Sequence, residues 1–163
     1  MARAFFGPPH DGPARGGLQV SVYLVPVHDG RLIVFDVMAP AARGRWLPWA
    51  VTGFGQNPYE AAAMLADDWL DVPLHDLSLA DVMSFDIEGG GWELAIVFRA
   101  ELAAPPRPSN ARVPVTFATG HLDAIGPFDP VDLERWLAGP PGTRAAAPAR
   151  QEAPGTGQRG LLF

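Results

Sequence analysis

Apolar residues recur along this chain with two different periods. Over 18–28 (LQVSVYLVPVH), Leu18, Val20, Val22 and Leu24 alternate with Gln19, Ser21 and Tyr23. Period two predicts a strand, with the first set on one face and the second on the other. Asp29-Gly30 is a hairpin turn signal, and 31–38 (RLIVFDVM) reads as the returning strand. Residues 39–45 (APAARGR) read as a loop of small residues. Asn57, Pro58 and Glu60 then fit the N-cap, N1 and N3 positions of a helix, a capping-box-like start. The helix is predicted to end near Leu70 or Asp71, because Pro73 cannot continue it. Its apolar stripe is Ala62, Leu65, Ala66 and Trp69, which makes Leu65 and Trp69 expected core residues.

Further on, 78–87 is a candidate strand and Gly89-Gly90-Gly91 a turn. Residues 92–102 (WELAIVFRAEL) alternate again: Trp92, Leu94, Ile96 and Phe98 face one way, Glu93, Ala95, Val97 and Arg99 the other. A Pro-broken loop over 104–114 leads to a short strand from Val115 to Ala118. Asp129 then caps a second helix with Pro130 at N1, running through Leu133, Trp136 and Leu137 to Gly139. The order is hairpin, loop, helix, antiparallel strands, helix, and there is no internal repeat. This predicts a single α+β (mixed α/β) domain over 18–138. Residues 1–17 form an irregular arm that Phe5 and Phe6 would pin to the body. Residues 139–163 read as a flexible Gly, Pro, Ala and Arg tail with little to bury.

Composition narrows the chemistry. The 163 residues suit one domain with modest extensions, and 48% hydrophobic residues suffice for a core. No cysteine occurs, which excludes disulfides, thiolate nucleophiles and cysteine-based zinc sites. No basic start with an apolar run suggests a signal peptide, and no stretch of about 18 apolar residues suggests a membrane span. A cytoplasmic protein is the expectation. The net charge of −6 argues against direct, charge-driven nucleic-acid binding. All the basic residues are arginine. The four histidines, His10, His28, His75 and His121, form no zinc-binding spacing, and Gly53 with Gly55 lacks the dinucleotide fingerprint.

The stretch LPWAVTGFGQNPYEAAAMLADDWLDVP is similar to the signature region of the Nudix hydrolases, with Gly55, Pro58, Glu60, Ala61 and Ala62 on matching positions. The closing FDPVDLERWL resembles the family's last helix. The resemblance covers roughly 18–138 and implies a Nudix-like α/β/α sandwich around a mixed sheet. The family signature carries Gly, five residues, Glu, seven residues, then Arg-Glu, an aliphatic residue, any residue, Glu-Glu, any residue, Gly and an aliphatic residue. Here those positions hold Ala50, Gln56, Met64-Leu65, Ala66, Asp68-Trp69, Asp71 and Val72. Of four acidic positions only Asp68 keeps a carboxylate. Diphosphate hydrolysis in this family depends on divalent metal, which carboxylates three and four residues apart on a helix face can share. Leu65 and Trp69 cannot ligate metal.

The resemblance therefore implies a non-hydrolytic binding relative that needs no cofactor, with Asp68 as a weak candidate metal ligand. The alternative is a divergent hydrolase of nucleoside diphosphate derivatives using Mg²⁺ or Mn²⁺ through Glu60, Asp67, Asp68 and Asp71. A structural dimerisation module is a third reading. Candidate ligand-binding residues are Arg43 and Arg45, which suit a phosphate, and Trp46, Trp49, Phe54 and Tyr59, which suit an aromatic slot. At the far end, Gln158, Leu161, Leu162 and Phe163 resemble the bacterial sliding-clamp-binding peptide: Gln, two residues, Leu, then an apolar or aromatic ending. The clamp is thus an expected partner. Self-docking, or a homodimer contact over an open sheet edge, is the rival.

Overall fold

The computed structural model describes residues 4–5, 16–38, 43–53, 55–87, 90–109, 111–118 and 122–139. Among these residues, eight strands and two helices follow in the order β1 (Ala4–Phe5), β2 (Leu18–His28), β3 (Arg31–Val37), β4 (Gly44–Trp46), β5 (Trp49–Val51), α1 (Pro58–Trp69), β6 (Leu74–Ile87), β7 (Gly91–Leu102), β8 (Arg112–Phe117) and α2 (Pro130–Ala138).

One mixed sheet runs β1-β6-β7-β2-β3-β4, with β5 added to β2 and β8 to β3. Its centre is parallel: β2 lies beside β7 from Leu18↔Trp92 to Val27↔Glu101. The hairpin partners β2 and β3 pair only near the turn, at Val27↔Leu32 and His28↔Arg31. Beyond that β3 diverges, and β5 takes the vacated edge of β2 over Ser21–Tyr23. Asp29 and Gly30 both adopt positive φ, +50° and +69°, as a two-residue hairpin turn demands.

The helices cover opposite faces. Residues of α1 (Ala61, Ala62, Leu65, Ala66) pack with Val22, Leu24, Phe35 and Phe98. Residues of α2 (Leu133, Trp136, Leu137) pack with Tyr23, Val25, Val27, Phe85, Val97 and Phe128. This is the predicted two-faced sandwich. Both helices start as expected at Asn57 and Asp129, with proline in the first turn. The reciprocal capping box belongs to α2, where Asp129 and Asp132 exchange bonds; in α1 the Asn57 side chain instead accepts from Tyr59 N at 2.8 Å. The Asp81 carboxylate fastens α2 to the sheet by accepting from Arg135 and from Trp136 Nε1.

Several sequence expectations are corrected. Gly44–Trp46 and Trp49–Val51 are strands rather than loop, because β3 and β2 offer them free edges. β6 begins at Leu74, and β8 begins at Arg112 inside the expected loop. Gln19, Ser21 and Tyr23, the more polar face of β2, are buried, because α2 and the 122–128 segment cover that side. Likewise Glu93 is 0% exposed, while Trp92, on the opposite face of β7, is 41% exposed. Helix α1 is short and leaves the start of β7 bare. Of the expected core pair on α1, Leu65 is buried at 5%, whereas Trp69 is only half-buried.

Candidate functional site

At the signature positions on and before α1, side chains are committed to the fold. Gln56 accepts a hydrogen bond from Gly53 N at 3.0 Å, closing the loop that enters the helix, and its amide reaches Met64 Sδ at 3.8 Å. Leu65 points into the core with Leu24, Phe35 and Phe98. The Trp69 ring meets Phe35 edge-on, with centroids 5.5 Å apart, and the Arg112 guanidinium lies 4.0 Å over the same ring.

Arg112 also determines the surroundings of Asp68. Its Nη1 lies 3.1 Å from the Asp68 carboxylate and donates to the Asp68 carbonyl at 3.0 Å. That carbonyl belongs to the last turn of α1, where backbone acceptors lack intrahelical partners and a cation is favoured. One side chain thus caps the helix, covers Trp69 and neutralises the one retained carboxylate. Asp71 has φ +49°, the left-handed conformation that follows a helix end. Asp is among the few residues other than glycine that tolerate this conformation.

Of the alternative acids, Glu60, Asp67 and Asp71 are exposed. Asp67 and Asp71 line a shallow open depression with Val72 and Pro73, while Glu60 sits in the first turn. No group of three His, Asp or Glu side chains able to hold a metal forms among the described residues. The donor set at the signature positions therefore does not fit a divalent cation: it holds one carboxylate, already tied to arginine.

The candidate ligand residues spread over both sides of the sheet. Trp49 stacks near Tyr23, with centroids 6.4 Å apart, on the α2 side. Tyr59 packs edge-on against Phe98 at 4.7 Å on the α1 side. Trp46 pairs with Phe35 in the sheet register and borders Gly44 and Gly126. Arg45 pairs with Asp36 at 3.0 Å and covers Phe117, while Arg43 is exposed. Phe54 lies outside the described residues, as do Gln158, Leu161, Leu162, Phe163, His10 and His121.

A polar corner that the sequence reading missed lies on the α2 side, at the start of β2 and β7. There Gln19 pairs with Glu93 across the parallel strands. Tyr23 Oη donates to Glu93 Oε1 at 3.1 Å, and Gln19 Nε2 donates to Ser21 Oγ at 3.2 Å. All four residues are buried. Burial, then the Glu93 charge, then the hydrogen bond to it push the Tyr23 hydroxyl far above its ordinary pKa. Glu93 Oε2 is buried with no hydrogen-bond partner among the described residues. An orphaned buried carboxylate oxygen costs free energy and marks a place where a donor is missing. Alternation places Glu93 only on the face opposite Trp92; the cross-strand partner, far away in sequence, reveals its burial.

No known family profile matches the sequence, and neither does any curated protein. Solved structures do match in fold. A MutT NUDIX hydrolase from Burkholderia pseudomallei superposes with a TM-score of 0.60 at 21% identity, covering 72% of this chain and 97% of that one. A MutT protein from Methanosarcina mazei gives 0.60 at 15% identity, over 74% and 94% of the two chains. A NUDIX hydrolase from Nitrosomonas europaea gives 0.50 at 13%, over 61% and 72%. The fold expected from the signature-like stretch is therefore the fold observed: a Nudix-like mixed sheet with a helix on each face.

Proposed function

We propose that this chain is a Nudix-fold binding protein without diphosphate-hydrolase activity. The carrying observation is the fate of the acidic positions on α1. Leu65 is core, Trp69 is packed between Phe35 and Arg112, and Asp68 is neutralised by Arg112. Metal-assisted attack on a phosphoryl group needs clustered, uncommitted carboxylates. In this reading the ligand seat is the Tyr23–Glu93 corner, supported by Glu93 Oε2, which has no hydrogen-bond partner among the described residues. Such a corner suits a planar molecule carrying an N–H donor.

The test has two parts. A panel of nucleoside diphosphate derivatives with Mg²⁺ or Mn²⁺ should give no turnover above background. Robust turnover that vanishes in Asp67→Asn or Asp68→Asn would overturn the reading in favour of a divergent hydrolase. A thermal-shift screen of heteroaromatic N–H donors should give stabilisation that weakens in Glu93→Gln. In this proposal the 158–163 segment recruits the protein to a sliding clamp, with Leu161 and Phe163 as anchors. A peptide of that sequence should bind purified clamp with a Kd in the micromolar range, on the order of −8 kcal/mol. Leu161→Ala with Phe163→Ala should abolish binding.

A further inference from the structure

Helix α1 covers only part of its side of the sheet. Over β2 it shields Val22 and Leu24, and Tyr59 shields Phe98. The rest of that face carries cross-strand rows given by the register: Leu18–Trp92–Asp86, Val20–Leu94–Ser84, then Ile96–Val82, and Leu79 beside Phe98. Leu18 is 48% exposed, Leu79 48%, Val82 52% and Trp92 41%, while Val20, Leu94 and Ile96 are half-buried. Seven apolar side chains on three adjacent strands thus form one uncovered strip, with Asp86 as the charged member of those rows. Single exposed apolar residues need no explanation, but a contiguous strip does.

Its size bears on what covers it. Strands lie about 4.8 Å apart and same-face residues about 6.6 Å apart, so the strip measures about 10 by 20 Å. That is about 200 Å², well short of the roughly 800 Å² per partner that a stable protein interface needs. A second copy of this chain centred on the strip is therefore disfavoured, whereas a short apolar peptide matches it.

The chain contains such a peptide. Between Leu137 and Leu161 no large apolar residue occurs: the stretch is Gly, Pro, Ala, Thr, Arg, Gln and Glu. Leu161-Leu162-Phe163 then follow together. Helix α2 lies against β6 through the bonds to Asp81, and Gly139, the last described residue, lies beside Arg99 of β7, one strand in from β6. A spacer of the length of 140–160 has a root-mean-square span of about 25 Å, enough to round β6 and reach the other face, about 20 Å away. Arg159, two residues before the apolar triplet, complements Asp86 at the end of the strip. Tethering also raises the local concentration of the triplet to the millimolar range, so weak docking suffices.

We propose that, in the protein free of partners, Leu161-Leu162-Phe163 of the same chain seat on the strip formed by Leu18, Val20, Leu79, Val82, Trp92, Leu94 and Ile96. The proposal is independent of the ligand seat at Glu93, which lies on the opposite face.

The experiment places a photo-crosslinking benzoylphenylalanine at Phe163 in the full chain and maps adducts by mass spectrometry. Adducts within one chain at Leu79, Val82, Trp92 or Leu94 are expected. Val82→Asp, on an exposed position that leaves the fold intact by circular dichroism, should reduce those adducts about tenfold, since lost apolar contact plus a buried charge exceeds 1.4 kcal/mol. Adducts joining two copies would replace self-docking by a dimer contact. Adducts confined to other surfaces, or none at all, would overturn the proposal equally.

Discussion

Alkaline titration offers a direct probe of the Tyr23–Glu93 corner, and the composition makes it clean. The chain has no Lys and no Cys and only two tyrosines, Tyr23 and Tyr59. In a Tyr59→Phe background, tyrosinate absorbance near 295 nm reports Tyr23 alone. The folded protein holds the Tyr23 proton far more tightly than the unfolded chain, because burial and the neighbouring carboxylate both oppose a phenolate. The unfolded side chain releases its proton at about pH 10. The folded-state pKa is raised, so the stabilisation is complete below about pH 10 and declines as pH rises above it. One proton corresponds to about 1.4 kcal/mol per pH unit, hence about 2–3 kcal/mol lost by pH 12. That is a large share of the 5–15 kcal/mol typical of a domain. Urea unfolding between pH 9 and 12 should show this slope, and tyrosinate should appear only together with loss of structure. In Tyr23→Phe the slope should vanish, while stability at pH 7 should fall by about 1–3 kcal/mol because Glu93 then lacks its donor. Tyrosinate rising with a midpoint near 10 while the far-ultraviolet circular dichroism stays native would refute the reasoning.

Other substitutions test the α1 region. Leu65→Ala should cost about 2–5 kcal/mol in chemical denaturation, since the side chain is core. Trp69→Ala should cost less than the about 3–5 kcal/mol of a fully buried tryptophan, because Trp69 is only half-buried under Arg112. Asp71→Gly should raise the midpoint of thermal unfolding, whereas Asp71→Ala should lower stability by about 1 kcal/mol, both because φ is +49°. Arg112→Ala should destabilise more than Asp68→Ala, since Arg112 also caps the helix and covers Trp69.

The helices were legible because their signals are local. Asn57-Pro58 and Asp129-Pro130 mark starts that need only a few neighbouring residues, and both were placed correctly. The signature-like stretch also pointed to the right fold, and the positive φ at Asp71 gives its register a backbone reason. What was not legible depends on distant partners. Alternation sorts Gln19, Ser21, Tyr23 and Glu93 from their neighbours but cannot say which face a helix will cover, and here polar residues lie under the better-covered one. Arg112 sits 44 residues from Asp68, so no spacing rule connects them. Strands β4 and β5 are three residues each and exist because β3 and β2 offer open edges, which no local pattern records.

The parallel pairing of β2 with β7 sets the order in which this molecule can come into being. The residues joined at the middle of the sheet stand 74 positions apart, as His28 and Leu102 do. Closing a loop of that length costs about 4 kcal/mol of chain entropy before the strands return anything. A ribosome that has released only the first seventy residues has delivered the β2–β3 hairpin and α1, yet their shared neighbour β7 is still to be synthesised. Until then Val22, Leu24 and Val25 have no strand on that side, and the nascent chain exposes the apolar edge that the finished protein conceals most completely. Folding of the centre should therefore wait for residues beyond 102, and a fragment ending before β7 should be prone to aggregate.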